Sequence, residues 1–237
     1  MSPRSATGGA GPLVLLPGMG CTAALWSGLD VGTEVVTPVL ERPDLDGEVE
    51  RLLALLPERF ALAGLSLGAV VAMALVRRAP GRVRGLALLS TNPHPPTDVQ
   101  RTGWAGQRRQ LAASSARALQ EGLLPVLHSP AVLEHRPELV ATTLAMADEL
   151  GADRYDAQLR LQTTRVDERP GLARVRCPTL VVAARQDRLC GLDRHTRIAG
   201  LVPGARLVVV EAAHLSPLEQ PVVVGAHLRE WLGAVTG

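Results

Sequence analysis

Lysine is missing from the chain: each of its 25 basic residues is an arginine. That rules out a P-loop lysine, a Schiff-base lysine and a pyridoxal-phosphate anchor. Aromatic residues make up only 2%. The core must therefore be built from Leu, Val and Ala, and base-stacking platforms for nucleic acid are excluded. Three cysteines, Cys21, Cys177 and Cys190, are too few and too scattered for a disulfide framework or a paired metal site, so a reducing, cytoplasmic compartment is expected. An excess of either charge is lacking too: 25 basic against 23 acidic residues give a net charge of +2, no strong field for nucleic acid or anionic lipid. A long uncharged apolar run, residues 60–76, falls short of the ~20 residues of a membrane span and is interrupted by Gly64, Ser66 and Gly68. It reads as a buried strand, a sharp turn and a buried helix. The first twelve residues hold one arginine and no apolar stretch, which predicts a loose tail and not a signal peptide.

What is present is an ordinary soluble composition, 46% hydrophobic and 20% charged over 237 residues. That length suits one domain, residues 1–237, large enough to need neither disulfides nor a structural metal. Short apolar runs at residues 12–16, 34–40, 60–63, 83–89, 179–184 and 206–210 have the pattern of strands buried on both faces. Pro38 marks the second as an edge or a strand end. Val49, Leu52, Leu53 and Leu56 recur at helical spacing until Pro57, and residues 69–78 form a second helix, apolar nearly all round. Strands alternating with helices predict an α/β class: a mostly parallel sheet of about six to seven strands covered by helices on both faces. Between residues 91 and 170 the strand signal vanishes. Leucines at amphipathic spacings, with breaks at Pro125, Pro130, Pro137 and Gly151, predict an all-helical cap inserted into the domain.

Gly64-Leu65-Ser66-Leu67-Gly68 is a G-x-S-x-G pentapeptide set between a strand and a helix, the context of a nucleophile elbow. A serine hydroxyl is a poor nucleophile until a base takes its proton. His214 follows the strand RLVVV, at the end of an open α/β sheet where ligands bind. An imidazole base needs a partner that fixes its tautomer, and Asp187 follows the strand TLVVAA. Asp193, six residues on, is the rival; it sits at a helix start, where an Asp is more often a cap. The reading is thus Ser66 nucleophile, His214 base, Asp187 orienting acid.

In that order, and with PLVLLPGMG, AGLSLGA, CPTLVVAARQD and AAHLSPLEQP spread over nearly the whole chain, the sequence resembles the α/β-hydrolase family, serine hydrolases with Ser-Asp-His order and a helical cap. The resemblance implies an oxyanion hole formed by the backbone N–H groups of Met19 and Leu67. Two departures stand out. Pro17-Gly18 replaces the His-Gly common before the first donor, and Ala213 replaces the glycine that often precedes the histidine. With only a dozen residues before the first strand, a trimmed sheet of about six strands is expected.

Trp26 and His94 are candidate pocket-lining residues. His128, His135, His195 and His227 form no H-E-x-x-H spacing, so neither a metal nor any other cofactor is expected. The leading expectation is a serine hydrolase that cleaves a small, partly hydrophobic carboxylic ester or thioester by acyl transfer. Two alternatives stay open: the same fold running C–C bond hydrolysis, lyase or perhydrolase chemistry, and a non-catalytic ligand-binding protein. The expected partner is a small-molecule substrate; oligomeric state is not legible.

Overall fold

A computed structural model of the chain describes residues 11–236. The expected loose tail falls mostly on residues 1–10, outside the described residues. Strands β1 (Leu13–Leu16), β2 (Val35–Val36), β3 (Phe60–Leu65), β4 (Val83–Leu89), β5 (Thr179–Ala184) and β6 (Arg206–Val210) form one sheet in the order β2-β1-β3-β4-β5-β6. Every pairing is parallel. Among the described residues the sheet has six strands, within the six to seven expected. Period-two alternation sorts their side chains onto two apolar layers. Val14, Leu16, Leu62, Leu86, Leu88 and Val181 face a layer with α1 (Leu45–Leu55), α2 (Leu67–Arg78) and α8 (Leu192–Leu201). Leu13, Leu15, Ala63, Ala87, Leu180 and Val182 face the other, with Leu25, Trp26 and α10 (Pro221–Thr236).

The two edges differ from the interior in a way that composition alone does not show. The run at 34–40 is a strand only at Val35–Val36, and it lies on an edge as Pro38 suggested. RLVVV forms β6 at the opposite edge and is only half-buried over four of its five residues. An apolar run of this kind reads as doubly covered, but a strand with one neighbour has less covering it.

Between β4 and β5 lie α3 (Asp98–Ala113), α4 (Ala116–Leu127), α5 (Pro130–His135), α6 (Pro137–Thr163) and α7 (Arg169–Leu172). Side-chain caps start the first three of these helices: Thr97 with Gln100 in a reciprocal box, then Ser115 and Ser129. Pro130 and Pro137 occupy first-turn positions, where a missing N–H costs nothing. The expected break at Pro125 is not one. It sits inside α4, two residues from the end, and sacrifices a single bond in a helix whose Leu119 and Leu127 are buried. Gly151 is a kink within α6, with φ 77° and ψ 167°. The insert has its own small core of Leu111, Leu119, Ala147, Leu150, Tyr155 and Leu159. Among the described residues no helix is long and apolar enough to cross a membrane.

The order of β2 and β3 about β1 reverses the winding at β1/β3, and the crevice outside such a switch point is where open α/β sheets bind ligands. The turn from β3 into α2 lies there, and it is exceptionally tight. A Cβ on Gly68 would stand 2.0 Å from the Leu16 carbonyl oxygen, and one on Gly64 2.5 Å from the Gly68 backbone. Neither neighbour is a side chain that can swing away. We therefore expect Gly68→Ala to lower the unfolding free energy by about 2–3 kcal/mol, the upper range for an overpacked interior, with unchanged urea m-value; a loss below 0.5 kcal/mol, on the scale of about ±0.5 for a neutral surface change, would show that the turn relaxes freely.

Candidate active site

Ser66 stands at the head of α2 with φ 53° and ψ −111°, a conformation costly for any residue with a Cβ. The turn is held by Ser66 N–H donating to Leu89 O at 2.9 Å and by Thr91 Oγ1 donating to Ser66 O at 3.2 Å. The Ser66 side chain caps nothing in its own helix. Freed of that local duty, it lines a cavity of about 160 Å³.

His214 lines the same cavity and is 3% exposed. Its Nδ1 lies 2.9 Å from Asp187 Oδ2. The other carboxylate oxygen accepts the backbone N–H of Leu189 at 2.8 Å and of Cys190 at 2.9 Å. Burial alone would raise the Asp187 carboxyl; the His214 ring and these two amides outweigh it and hold the group below the usual carboxylate range. Asp193, by contrast, is exposed in the first turn of α8 and pairs with Arg194. The backbone of Met19 follows β1 and that of Leu67 opens α2; both residues line the cavity. Among the described residues, neither backbone N–H has a hydrogen-bond partner.

The loop after β1 is fixed from far along the chain. Gly20, at φ 72°, donates its N–H to Gln158 Oε1 at 2.9 Å, and the Gln158 amide nitrogen donates to Leu40 O at 2.9 Å. A Cβ on Gly20 would meet Gln120 Oε1 at 2.5 Å. Gln158 of α6 thus holds the loop, against which Gln120 of α4 is closely packed. Nothing in residues 17–22 signals this, because the partners lie more than 95 positions away.

Two buried groups near His214 were equally silent. Glu219, in the short helix α9 (Ser216–Glu219), accepts the backbone N–H of Ala213 at 3.1 Å and of Ser129 at 2.9 Å, and pairs with His128 Nδ1 at 3.1 Å. It ties the His214 loop to the start of α5. These bonds, led by that from His128, outweigh burial and keep its carboxyl low. His195 accepts the Thr91 N–H through Nε2 at 3.1 Å and donates from Nδ1 to Gly191 O at 3.0 Å. Burial lowers its pKa, so it is a neutral strut linking the β4 and β5 loops.

Neither Trp26 nor His94 is among the cavity's lining residues, which corrects the expectation for both. Trp26 is 5% exposed and packs in the layer under α10; its helical turn directs it into the core. His94 is half-buried, and what it contributes is backbone, its carbonyl accepting from Arg165. Donor atoms of Asp187, Cys190 and His214 lie within 4.8 Å of one another, a trio with zinc-like chemistry. Here, however, the carboxylate is engaged by the imidazole, and burial, followed by the Asp187 charge, pushes the Cys190 thiol up to about 12. Cys21 is raised to about 12 by burial as well, so neither thiol is a nucleophile near neutral pH.

A parallel sheet, a serine on a strained strand-to-helix turn and an imidazole–carboxylate pair at the next strand ends define a hydrolase-type α/β class. The model of the alpha/beta hydrolase fold family matches residues 43–221, and the chain belongs to that family. It is 26% identical, over 96% of this chain and 93% of the other, to a protein of Azorhizobium caulinodans named as carbamate hydrolase RutD. Among solved structures, the enol-lactonase from Burkholderia xenovorans LB400 superposes with a TM-score of 0.86 at 20% identity, covering 95% and 92% of the two chains. A thermophilic esterase from Thermogutta terrifontis does so with a TM-score of 0.82 at 24% identity, covering 97% and 92%.

Two measurements follow from the buried acids and His195. Glu219→Ala strands two amides and His128, and we expect it to cost about 3 kcal/mol of stability in urea unfolding, as for breaking a buried pair; a cost under about 1 kcal/mol, the value of a surface pair, would refute the bracing role. With folded pKa values lowered, all three groups stabilise at high pH. Stability is expected to be full above about pH 6.5, to fall first as the unfolded chain protonates His195, and to fall again below about pH 4 as Asp187 and Glu219 are lost. A curve flat from pH 7 to pH 3 would contradict this.

Proposed function

We propose that the protein is a serine hydrolase that cleaves a small, partly hydrophobic carboxylic ester or thioester by acyl transfer, with Ser66 as nucleophile, His214 as base and Asp187 as the group that orients it. The observation that carries the reading is the 2.9 Å His214–Asp187 bond at a cavity that a strained serine also lines. Names of relatives support it: an esterase, an enol-lactonase and a carbamate hydrolase all act at an acyl carbon.

In this mechanism His214 takes the Ser66 proton as Oγ bonds to the carbonyl carbon. The oxygen then carries a negative charge, received by the Met19 and Leu67 N–H groups, which no protein acceptor occupies. Collapse breaks the bond to the alcohol or thiol, and the imidazolium returns the proton to that leaving group. Water repeats the sequence at the acyl-enzyme and releases the acid. Asp187 is ionised throughout, since its pKa is held low, and it stabilises the imidazolium. The helices of residues 91–170 act as the cap: α3 and α4 supply Trp104, Leu123 and Leu127 to the cavity wall, the apolar part of the substrate's surroundings.

On this reading Ser66→Ala reduces kcat/KM on a short p-nitrophenyl ester by at least a thousandfold, and Asp187→Asn by about ten-thousandfold in kcat, the effect of a wrongly held tautomer. A fluorophosphonate probe labels Ser66 in the wild type and nothing in Ser66→Ala. Undiminished turnover by the purified Ser66→Ala protein, or a probe adduct on another residue, would overturn the assignment.

A further inference from the structure

Arg165 follows α6 at the end of the insert and is 8% exposed. It lines the same cavity as Ser66 and, among the described residues, is the only permanently charged side chain to do so. Its guanidinium donates from Nη1 to Gln162 Oε1 at 3.2 Å, and from Nη2 to Asn92 Oδ1 and His94 O, both at 3.0 Å. All three acceptors are neutral, and two of the five N–H groups of a guanidinium are left over. Among the described residues no carboxylate forms an ion pair with it. The half-buried Arg51 is treated differently, being paired with Glu48. A cation removed from water without a counter-charge is costly to maintain, and its uncommitted donors belong to the cavity wall.

Two further wall groups are incomplete. Gln107 Oε1 and Gln120 Nε2 are buried without a hydrogen-bond partner, and both residues line the cavity. The Gln120 assignment is fixed by Tyr155, whose hydroxyl donates to Gln120 Oε1 at 2.6 Å. The wall thus offers one cation, one buried spare donor and one buried spare acceptor beside the apolar Leu123, Val126 and Leu127.

We propose that Arg165 is a carboxylate-binding residue and that the substrate is a monoanion: an ester or thioester whose acyl chain ends in a carboxylate. The proposal rests on the acyl-transfer reading above and names its substrate class. A single cation favours a carboxylate over a phosphate, whose second charge would have no partner, and the planar guanidinium fork matches carboxylate geometry. The cavity's 160 Å³ is close to the ~150 Å³ that holds one benzene ring, which limits the acyl chain to about six carbons. The ligand would supply the charge that the protein withholds from Arg165.

The experiment compares two p-nitrophenyl esters of equal chain length, mono-p-nitrophenyl glutarate and p-nitrophenyl valerate. In the wild type, kcat/KM for the glutarate ester is expected to exceed that for the valerate at least tenfold. Arg165→Met should bring that ratio to one or below, mainly through KM, with Arg165→Lys between. A merely structural role for Arg165 would lower both esters together and leave the ratio in place, which would overturn the proposal, as would a wild-type ratio of one or less, whatever the folding of the variants. Calorimetric binding to Ser66→Ala separates the two readings. Monomethyl glutarate should bind at least tenfold more tightly than dimethyl glutarate, and equal affinities would sink the carboxylate site. If neither ester is turned over but this preference holds, the acyl-transfer reading fails and the binding site stands.

Discussion

Everything at this site depends on how closely α2 can approach β1. The helix begins one residue after β3 ends, and its first turn lies against the carbonyls of Leu16 and Pro17, which a Cβ on Gly68 would strike. That approach lifts Ser66 into a positive-φ conformation, puts the free N–H of Leu67 beside the loop that follows β1, and lets both border one cavity. Strain of this kind persists only where the surroundings over-determine it. Here they do: β3 and β4 pair along their whole lengths, Ser66 N–H and O are both bonded to the end of β4, and α2 is buried on almost every face.

A second constraint concerns Asp187 and His214. They stand on loops after β5 and β6, and loops are ordinarily the least fixed parts of a fold. Each is tied down by buried polar side chains. Asp187 is clasped by two amides of its own turn, His195 braces that turn against the loop after β4, and Glu219 joins the His214 loop to the insert. The same insert holds the loop after β1 through Gln158. It is therefore as much a clamp on the site's loops as a wall over it. Such positioning matters because an orienting group displaced by about 1 Å can cost a hundredfold in rate.

The order of strands and helices, the elbow and the His-Asp partnership were legible because each rests on a local pattern: apolar runs, glycines about a serine, a polar residue just past a strand. Period two along β1, β3, β4 and β5 carries the layer structure directly. What could not be read was set by contacts distant in sequence. Gln158, Glu219 and Arg165 look like ordinary surface residues until the fold buries them, and no spacing rule links Glu219 with Ser129 or Gly20 with Gln158. Trp26 misled in the opposite way. Closeness in sequence to the loop after β1 suggested the pocket, yet a short helical turn aims it at the far layer of the core. Pro125 was over-read as a helix stop, since a proline near a helix end removes only one bond and packing can absorb that.

The polar inventory also bears on how a small-molecule site coexists with a stable interior. The core layers consist almost wholly of aliphatic residues, and most buried charges carry internal partners: Glu48 with Arg51, Glu168 with Arg77, Glu219 with His128. Among the described residues, two of the six buried polar atoms without a partner, Gln107 Oε1 and Gln120 Nε2, border the cavity, beside Arg165. A fold selected only for stability would satisfy or delete them, because a partly satisfied polar network is worse than an apolar wall. Their place in a wall that Ser66 and His214 also line suits differential recognition. A wall of unmet donors and acceptors rejects ligands lacking the complementary groups far more strongly than an apolar wall rejects a missing methylene. On the proposal above, the cavity surrenders stability for selectivity, and Arg165, the one permanently charged residue among its described lining, sets the sign of what is selected.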